Sequence, residues 1–129
     1  MIAIKHEHEN SNMKILFVEN HAVFAKIVTE TLLNQHTVTI VSTLSKAWAL
    51  ISQEDYDVIL VDFDLDDGKG DELVKKIRAQ NWPVKIVAVS SHDRGNLALQ
   101  KAGADAICGK LTFRQHIEEV IEQVVQQSG

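Results

Sequence analysis

The stretch VILVDFDLDDGKGDE, from Val58 to Glu72, sets four apolar residues directly against six acids that fall within eleven positions. An apolar run with no polar alternation is the pattern of a strand covered on both faces. A dense group of carboxylates belongs in water or beside cations. The join at Asp62 therefore marks a buried strand that ends in a charged loop. The rest of the chain has to supply strands of the same kind and partners for the acids.

Outward from this stretch, KILFV (Lys14–Val18) and VKIVAV (Val84–Val89) are further apolar runs, TVTIV (Thr37–Val41) alternates, and AIC (Ala106–Cys108) is short and β-like. Between them lie stripes at helical spacing. The first is Phe24, Ile27, Val28 and Leu32. The second is Leu44, Ala47, Trp48 and Ile51, with Trp48 expected in the core. Leu73, Val74 and Ile77 form a third, ended by Pro83, and Trp82 before it is expected to be partly exposed. A weaker fourth holds Leu97, Ala98 and Lys101 and closes at Gly103. In the fifth, Thr112 is placed to cap a helix carrying Phe113, Ile117, Val120, Ile121 and Val124 on one face. Five β–α units imply an α/β fold, a flavodoxin-like, doubly wound parallel sheet in the order 2-1-3-4-5 with five helices.

The chain has 129 residues, 45% of them apolar, with 18 acids against 13 bases and a formal charge of -5. That fits one compact domain and lacks the basic stripe of a nucleic-acid binder, so no nucleic-acid partner is expected. No apolar run approaches the roughly 20 residues of a membrane span, so no membrane insertion is expected. The single cysteine, Cys108, has no partner for an internal disulfide and reads as a small buried apolar residue. A cytoplasmic location is the expectation. Residues 1–12 read as a polar, disordered extension and residues 13–129 as the domain.

In a sheet of this order, ligands bind at the carboxyl ends of the strands, where strand order reverses. Glu19 and Asn20 follow the first strand, Asp62 the third, Ser90 and Ser91 the fourth, and Lys110 the fifth. Carboxylates held close raise each other's pKa unless a cation is present. Mg²⁺, a hard ion that takes one or two carboxylates and leaves room for phosphate oxygens, resolves the conflict. A carboxylate beside Mg²⁺ can attack phosphorus and become an aspartyl phosphate, with a lysine and a hydroxyl stabilising the transferring group. Asp62, Lys110 and Ser90 supply that set. Glu19 and Asn20 also read as a helix N-terminal acid and an N-cap. Asp71 and Glu72 suit a helix N-terminus. Gly68 and Gly70 read as a turn needing positive φ, and His92 as a loop residue at the mouth of the site.

VEN after the first strand, VDFDLDDGKG after the third, AVSSH after the fourth and GADAICGK at the fifth resemble the receiver domain of two-component response regulators, in its single-domain, chemotaxis-regulator-like form. The resemblance spans about residues 13–127. It implies that Asp62 is the phosphoacceptor and that Ser90 is the hydroxyl residue that turns towards the phosphoryl group. It further implies that Ser91 is the small residue leaving room for that group and Lys110 the lysine of the site. Glu19 and Asn20 would be the pair that holds Mg²⁺ together with Asp62, and Asp64 would offer its backbone carbonyl to the metal. The implied partners are a histidine kinase or histidine phosphotransfer protein and a downstream protein, the latter reached through the face of helix four, strand five and helix five. The implied role is a switch that dephosphorylates itself, with no metabolic turnover.

Four residues depart from the family pattern. Asn20 stands where a metal-binding carboxylate is usual, which implies weaker Mg²⁺ binding. Asp66 and Leu111 replace prolines. Ile107 replaces a switching aromatic ring. These departures leave room for a pseudo-receiver that binds partners without being phosphorylated. Asp62-Phe63-Asp64 also resembles the motif of haloacid-dehalogenase-type phosphatases, although there the motif lies near the chain start.

Overall fold

The computed structural model describes residues 12–126, so the extension expected over residues 1–12 lies, Asn12 excepted, outside the described residues. Strands β1 (Lys14–Val18), β2 (Thr37–Val41), β3 (Val58–Val61), β4 (Lys85–Ala88) and β5 (Ala106–Ile107) alternate with helices α1 (Ala22–Leu32), α2 (Leu44–Gln53), α3 (Gly70–Ala79), α4 (Asp93–Ala102) and α5 (Phe113–Gln126). The sheet is parallel with the order β2-β1-β3-β4-β5, the order expected from the alternation. A two-residue hairpin, Asp64–Leu65 against Gly68–Lys69, sits between β3 and α3.

All four residues of β3 are fully buried because successive side chains enter opposite layers. Val58 and Leu60 join Phe17, Phe113, Ile117 and Ile121 under α1 and α5. Ile59 and Val61 join Leu73, Val74, Ile77 and Leu99 under α2, α3 and α4. Each such side chain contributes about 1.5–3 kcal/mol on burial. The edge strand β2, with one neighbour, stays largely open, which accounts for its alternating composition.

Local chemistry sets the helix ends. Thr43 Oγ1 accepts from Lys46 N at 3.1 Å, and Asp67 from the β3–α3 loop accepts from Leu44 N and Ser45 N, so α2 is capped from two sides. Those bonds, first that from Leu44 N, hold the Asp67 carboxyl below its ordinary pKa. Gly103 closes α4 at φ +128, a conformation that disfavours any side chain. Asp71 and Glu72 lie in the first turn of α3, as read from the sequence.

Several sequence expectations give way. Ile27 and Leu97 point outward, because the buried positions of α1 and α4 are Ala25 and Val28, and Gly95, Asn96 and Leu99. Trp48 is half-buried, stacked on Trp82 at 5.4 Å with Lys76 over its ring. Thr112 does not stand before α5 as a cap. It lies in a 3-10 turn, Lys110–Thr112, that runs straight into the helix.

Candidate functional site

Strand register builds the site. Val18 pairs with Val61, and Val61 with Ala88, so the next residues of β1 and β3, Glu19 and Asp62, leave the sheet side by side. Lys110 N donates to Ser90 O at 3.1 Å, which ties the end of β5 to the end of β4. The acids are buried where these ends meet, Glu19 with 1% and Asp62 with 3% of its surface exposed.

The cation comes from Lys110. Its ammonium donates to Glu19 Oε2 at 2.8 Å and to Asp62 Oδ2 at 3.1 Å, across 91 and 48 residues of chain. It also lies 3.2 Å from His21 Nδ1 and 5.0 Å from the centre of the Phe24 ring. A lysine ammonium has three N–H donors, and two of them go to the acids. Asp62 Oδ1 accepts from Phe63 N at 2.8 Å. Burial holds the Glu19 carboxyl above its ordinary pKa, opposed by the Lys110 hydrogen bond and reinforced by Asp62.

Glu19 Oε1 and Asn20 Oδ1, on adjacent residues just past β1, are buried with no hydrogen-bond partner. Unpartnered buried acceptors are costly, and a hard oxygen-seeking cation would satisfy both. The residues therefore fit Mg²⁺, with Glu19, Asn20 and Asp62 to hold it. Asn20 does not cap α1 as its other reading expected. The cap position is His21, without a side-chain hydrogen bond.

The fourth-strand residues separate. Ser90 is buried and Ser91 is exposed. Asn96 of α4 grips the Ser90 peptide from both sides: Ser90 N donates to Asn96 Oδ1 at 3.0 Å, and Asn96 Nδ2 donates to Ser90 O at 3.2 Å. The Asp64 carboxylate is bonded to Lys69 and lies 3.5 Å from His92 Nε2. Its pKa is lowered, first by the Lys69 hydrogen bond. His92 caps α4, its Nδ1 accepting from Gly95 N, and packs edge-on against Phe63. Ile107 lies partly exposed on β5. His21 and Asn96 were missed in the sequence. His21 was detectable as the residue two past Glu19. Asn96 carried no signal, since the weak α4 stripe was read through its neighbours.

The chain matches the response regulator receiver domain family over residues 15–122. The chain belongs to that family. Among similar proteins is the Chemotaxis protein CheY homolog of Campylobacter jejuni, 28% identical over 120 residues that cover 88% of this chain and 92% of that one. Another is Protein RcaC of Microchaete diplosiphon, 35% identical over 95 residues, 73% of this chain but only 14% of RcaC. In structure, a Francisella response regulator receiver domain superposes with a TM-score of 0.82 at 21% identity, covering 92% of this chain and all (100%) of that one. The receiver domain of a Pseudomonas aeruginosa sensor histidine kinase, which carries a magnesium ion coordinated in its active-site cleft, gives 0.80 at 25% identity, over 90% of this chain and 99% of that one. A receiver is typically a phosphoacceptor switch, and the dehalogenase-type reading is set aside, because Asp62 follows the third strand of a receiver sheet. Among the described residues no helix is long and apolar enough to cross a membrane.

Proposed function

We propose that this receiver accepts a phosphoryl group on Asp62 from the phosphohistidine of a histidine kinase or histidine phosphotransfer protein, and signals through protein contacts. The observation that carries the reading is the bridge from Lys110 Nζ to both Glu19 and Asp62. A carboxylate oxygen of Asp62 forms the new bond to phosphorus. The P–N bond breaks, and its electron pair stays on the leaving imidazole. Lys110 offsets charge on the transferring group, and Phe63 N–H holds the other Asp62 oxygen. The Ser90 hydroxyl is the donor that turns towards the phosphoryl oxygens, and Ser91 keeps the approach open. Glu19, Asn20, Asp62 and the Asp64 carbonyl would hold Mg²⁺, which would supply neutralisation of phosphate charge.

Exposed apolar side chains support two contact faces. Ile27 and Leu111 line a groove together with Lys110, suited to the phosphodonor. Leu97 and Ile107 are exposed on α4 and β5, the face through which output is expected.

The test is incubation with acetyl phosphate and Mg²⁺, followed by intact-mass measurement. The wild type is expected to gain one phosphoryl mass that hydroxylamine removes, and Asp62→Asn none. A wild type that gains no mass would make the domain an unphosphorylated interaction module. A gain in Asp62→Asn would move the acceptor elsewhere.

A further inference from the structure

The two edges of the sheet are unequal. β5 closes one side with only Ala106 and Ile107, and so short an edge offers little backbone to pair with. β2 closes the other with Thr37–Val41, every residue in register with β1. Thr37 N donates to Met13 O, and Val41 O accepts from Glu19 N, each at 2.9 Å. Backbone groups alternate sides along a strand. Thr37, Thr39 and Val41 therefore face β1, and Val38 and Ile40 turn their N–H and C=O outward. Among the described residues no strand pairs with that side, and Thr37, Thr39 and Ile40 are exposed. The usual protection of an edge is missing. β2 holds no proline, and no Asp, Glu, Lys or Arg stands anywhere from Thr31 to Ser45.

We propose that the β2 edge is a self-association surface whose occupant is β2 of a second copy, antiparallel, with Thr39 facing Thr39 across a two-fold axis. TVTIV fits itself in that register. Val38 then lies opposite Ile40 of the second copy, and Ile40 opposite Val38. These are the residues with outward backbone groups, so both pairs exchange both hydrogen bonds. Val38 packs on the layer under α1 and α5, so the Val–Ile pairs meet on that face as β-branched cross-strand neighbours. Thr39 stands in the closer, non-hydrogen-bonded pair on the other face, where threonine hydroxyls bond one another. A slip of one residue sets outward groups against inward ones and loses the ladder. A slip of two sets Val38 or Ile40 against itself and leaves the other opposite His36 or Ser42. The strand is uncharged, so the second copy brings no like charges against it, and a strongly charged partner would find no ion pair. β2 and β5 are opposite edges. The dimer therefore leaves the α4 and β5 face free on each copy and joins two receivers in one continuous sheet. A target with two matching sites then meets two such faces at once. Assembly does not depend on phosphoryl transfer and is measured without a phosphodonor.

Sedimentation equilibrium of the full chain over a concentration series is expected to show monomers and dimers in exchange. Association should tighten with added NaCl, because each copy carries a formal charge of -5. Thr39→Lys and Thr39→Asp each set like charges face to face and are expected to associate at least tenfold more weakly, while an equimolar mixture of the two recovers dimers. On mild oxidation Thr39→Cys should form a disulfide-linked dimer, since facing residues of this pair have Cα atoms about 4.5 Å apart. Thr37→Cys should not, because position 37 faces Val41 of the second copy, and Cys108 is buried and does not compete. A wild type that stays monomeric at about 1 mM, a mixture that associates no better than either variant alone, or equal cross-linking at both positions would overturn the assignment. Dimers formed only after residues 1–11 are deleted would give the edge to that segment and overturn it as well. Circular dichroism confirms that the variants are folded.

Discussion

Gly70 touches the backbone of Asp62 so closely that a Cβ there would lie 2.0 Å from the Asp62 carbonyl oxygen and 2.9 Å from Val61 Cγ1. Gly70 N also donates to Phe63 O at 2.6 Å. The first turn of α3 thus clamps the point where β3 becomes the acidic loop. Gly70→Ala must push that junction apart. We expect a loss of about 1–3 kcal/mol in urea denaturation, with slower acyl-phosphate formation. A loss under about 0.5 kcal/mol would mean that the contact relaxes freely.

Asn96→Ala removes both hydrogen bonds to the Ser90 peptide and leaves Ser90 N buried without an acceptor. The expected cost is about 1–3 kcal/mol. Asn96→Asp keeps the acceptor and loses the donor, so it should retain part of the stability. Denaturation of the two variants side by side tests this ranking. Equal stability of both with wild type would show that water replaces the amide.

The fold was legible because the unbroken apolar run of β3 and most of the helical stripes announce themselves locally. The acids and Lys110 were legible because they stand at strand ends whose register follows from the order of the sheet. Contacts that depend on which way a loop turns were not. The Asp64 carboxylate is paired with Lys69 across the hairpin, a contact no sequence pattern announced. His21 meets Glu19 and Lys110 only because α1 starts at the turn beside Glu19. Asn96 is polar on a buried face, a choice the Ser90 peptide explains and no helical period could.

Asn20→Asp places a carboxylate where a buried, unpartnered amide oxygen now lies. An amide ligates a hard cation without adding charge. Mg²⁺ affinity should therefore rise at least tenfold, about 1.4 kcal/mol. Without metal the new acid repels Glu19 and Asp62, so the metal-free variant should melt lower and gain more from Mg²⁺ than wild type. Calorimetry and melting curves with and without Mg²⁺ decide it. An unchanged affinity would place the metal away from this pair.

Read as a surface lysine, Lys110 would contribute little to stability. Its side chain is in fact only 12% exposed and serves two buried acids. Lys110→Ala leaves those acids unpaired, at an expected cost on the order of 3 kcal/mol near neutral pH. Saturating Mg²⁺ should recover part of the loss. The variant should still take a phosphoryl group slowly but fail to transmit it, seen as no phosphate-analogue-induced change in hydrogen exchange at β5 and α4. An exchange response equal to wild type would remove Lys110 from the switch.

Glu19 gives the domain a pH dependence with a fixed sign. Burial raises its pKa above the ordinary value of 4.5, even with Lys110 bonded to it. Well below that value the carboxyl is protonated in both folded and unfolded chains, and Glu19 exacts nothing. Between the ordinary and the raised value the folded state binds more protons than the unfolded one, so its stability falls as pH rises. Above the raised value the penalty is complete and constant. Glu19→Gln cannot ionise and so lacks this slope. The stability of Glu19→Gln relative to wild type, from denaturation at a series of pH values without divalent metal, should climb from about pH 4 upward and then level off. Saturating Mg²⁺ should shrink the difference, because the metal compensates the ionised carboxylate and binds the glutamine variant less well. A difference that stays flat across the range would show that Lys110 fully offsets the cost of burying the charge. A difference that falls as pH rises would reverse the assignment and make ionised Glu19 a net stabilising group of the metal-free receiver.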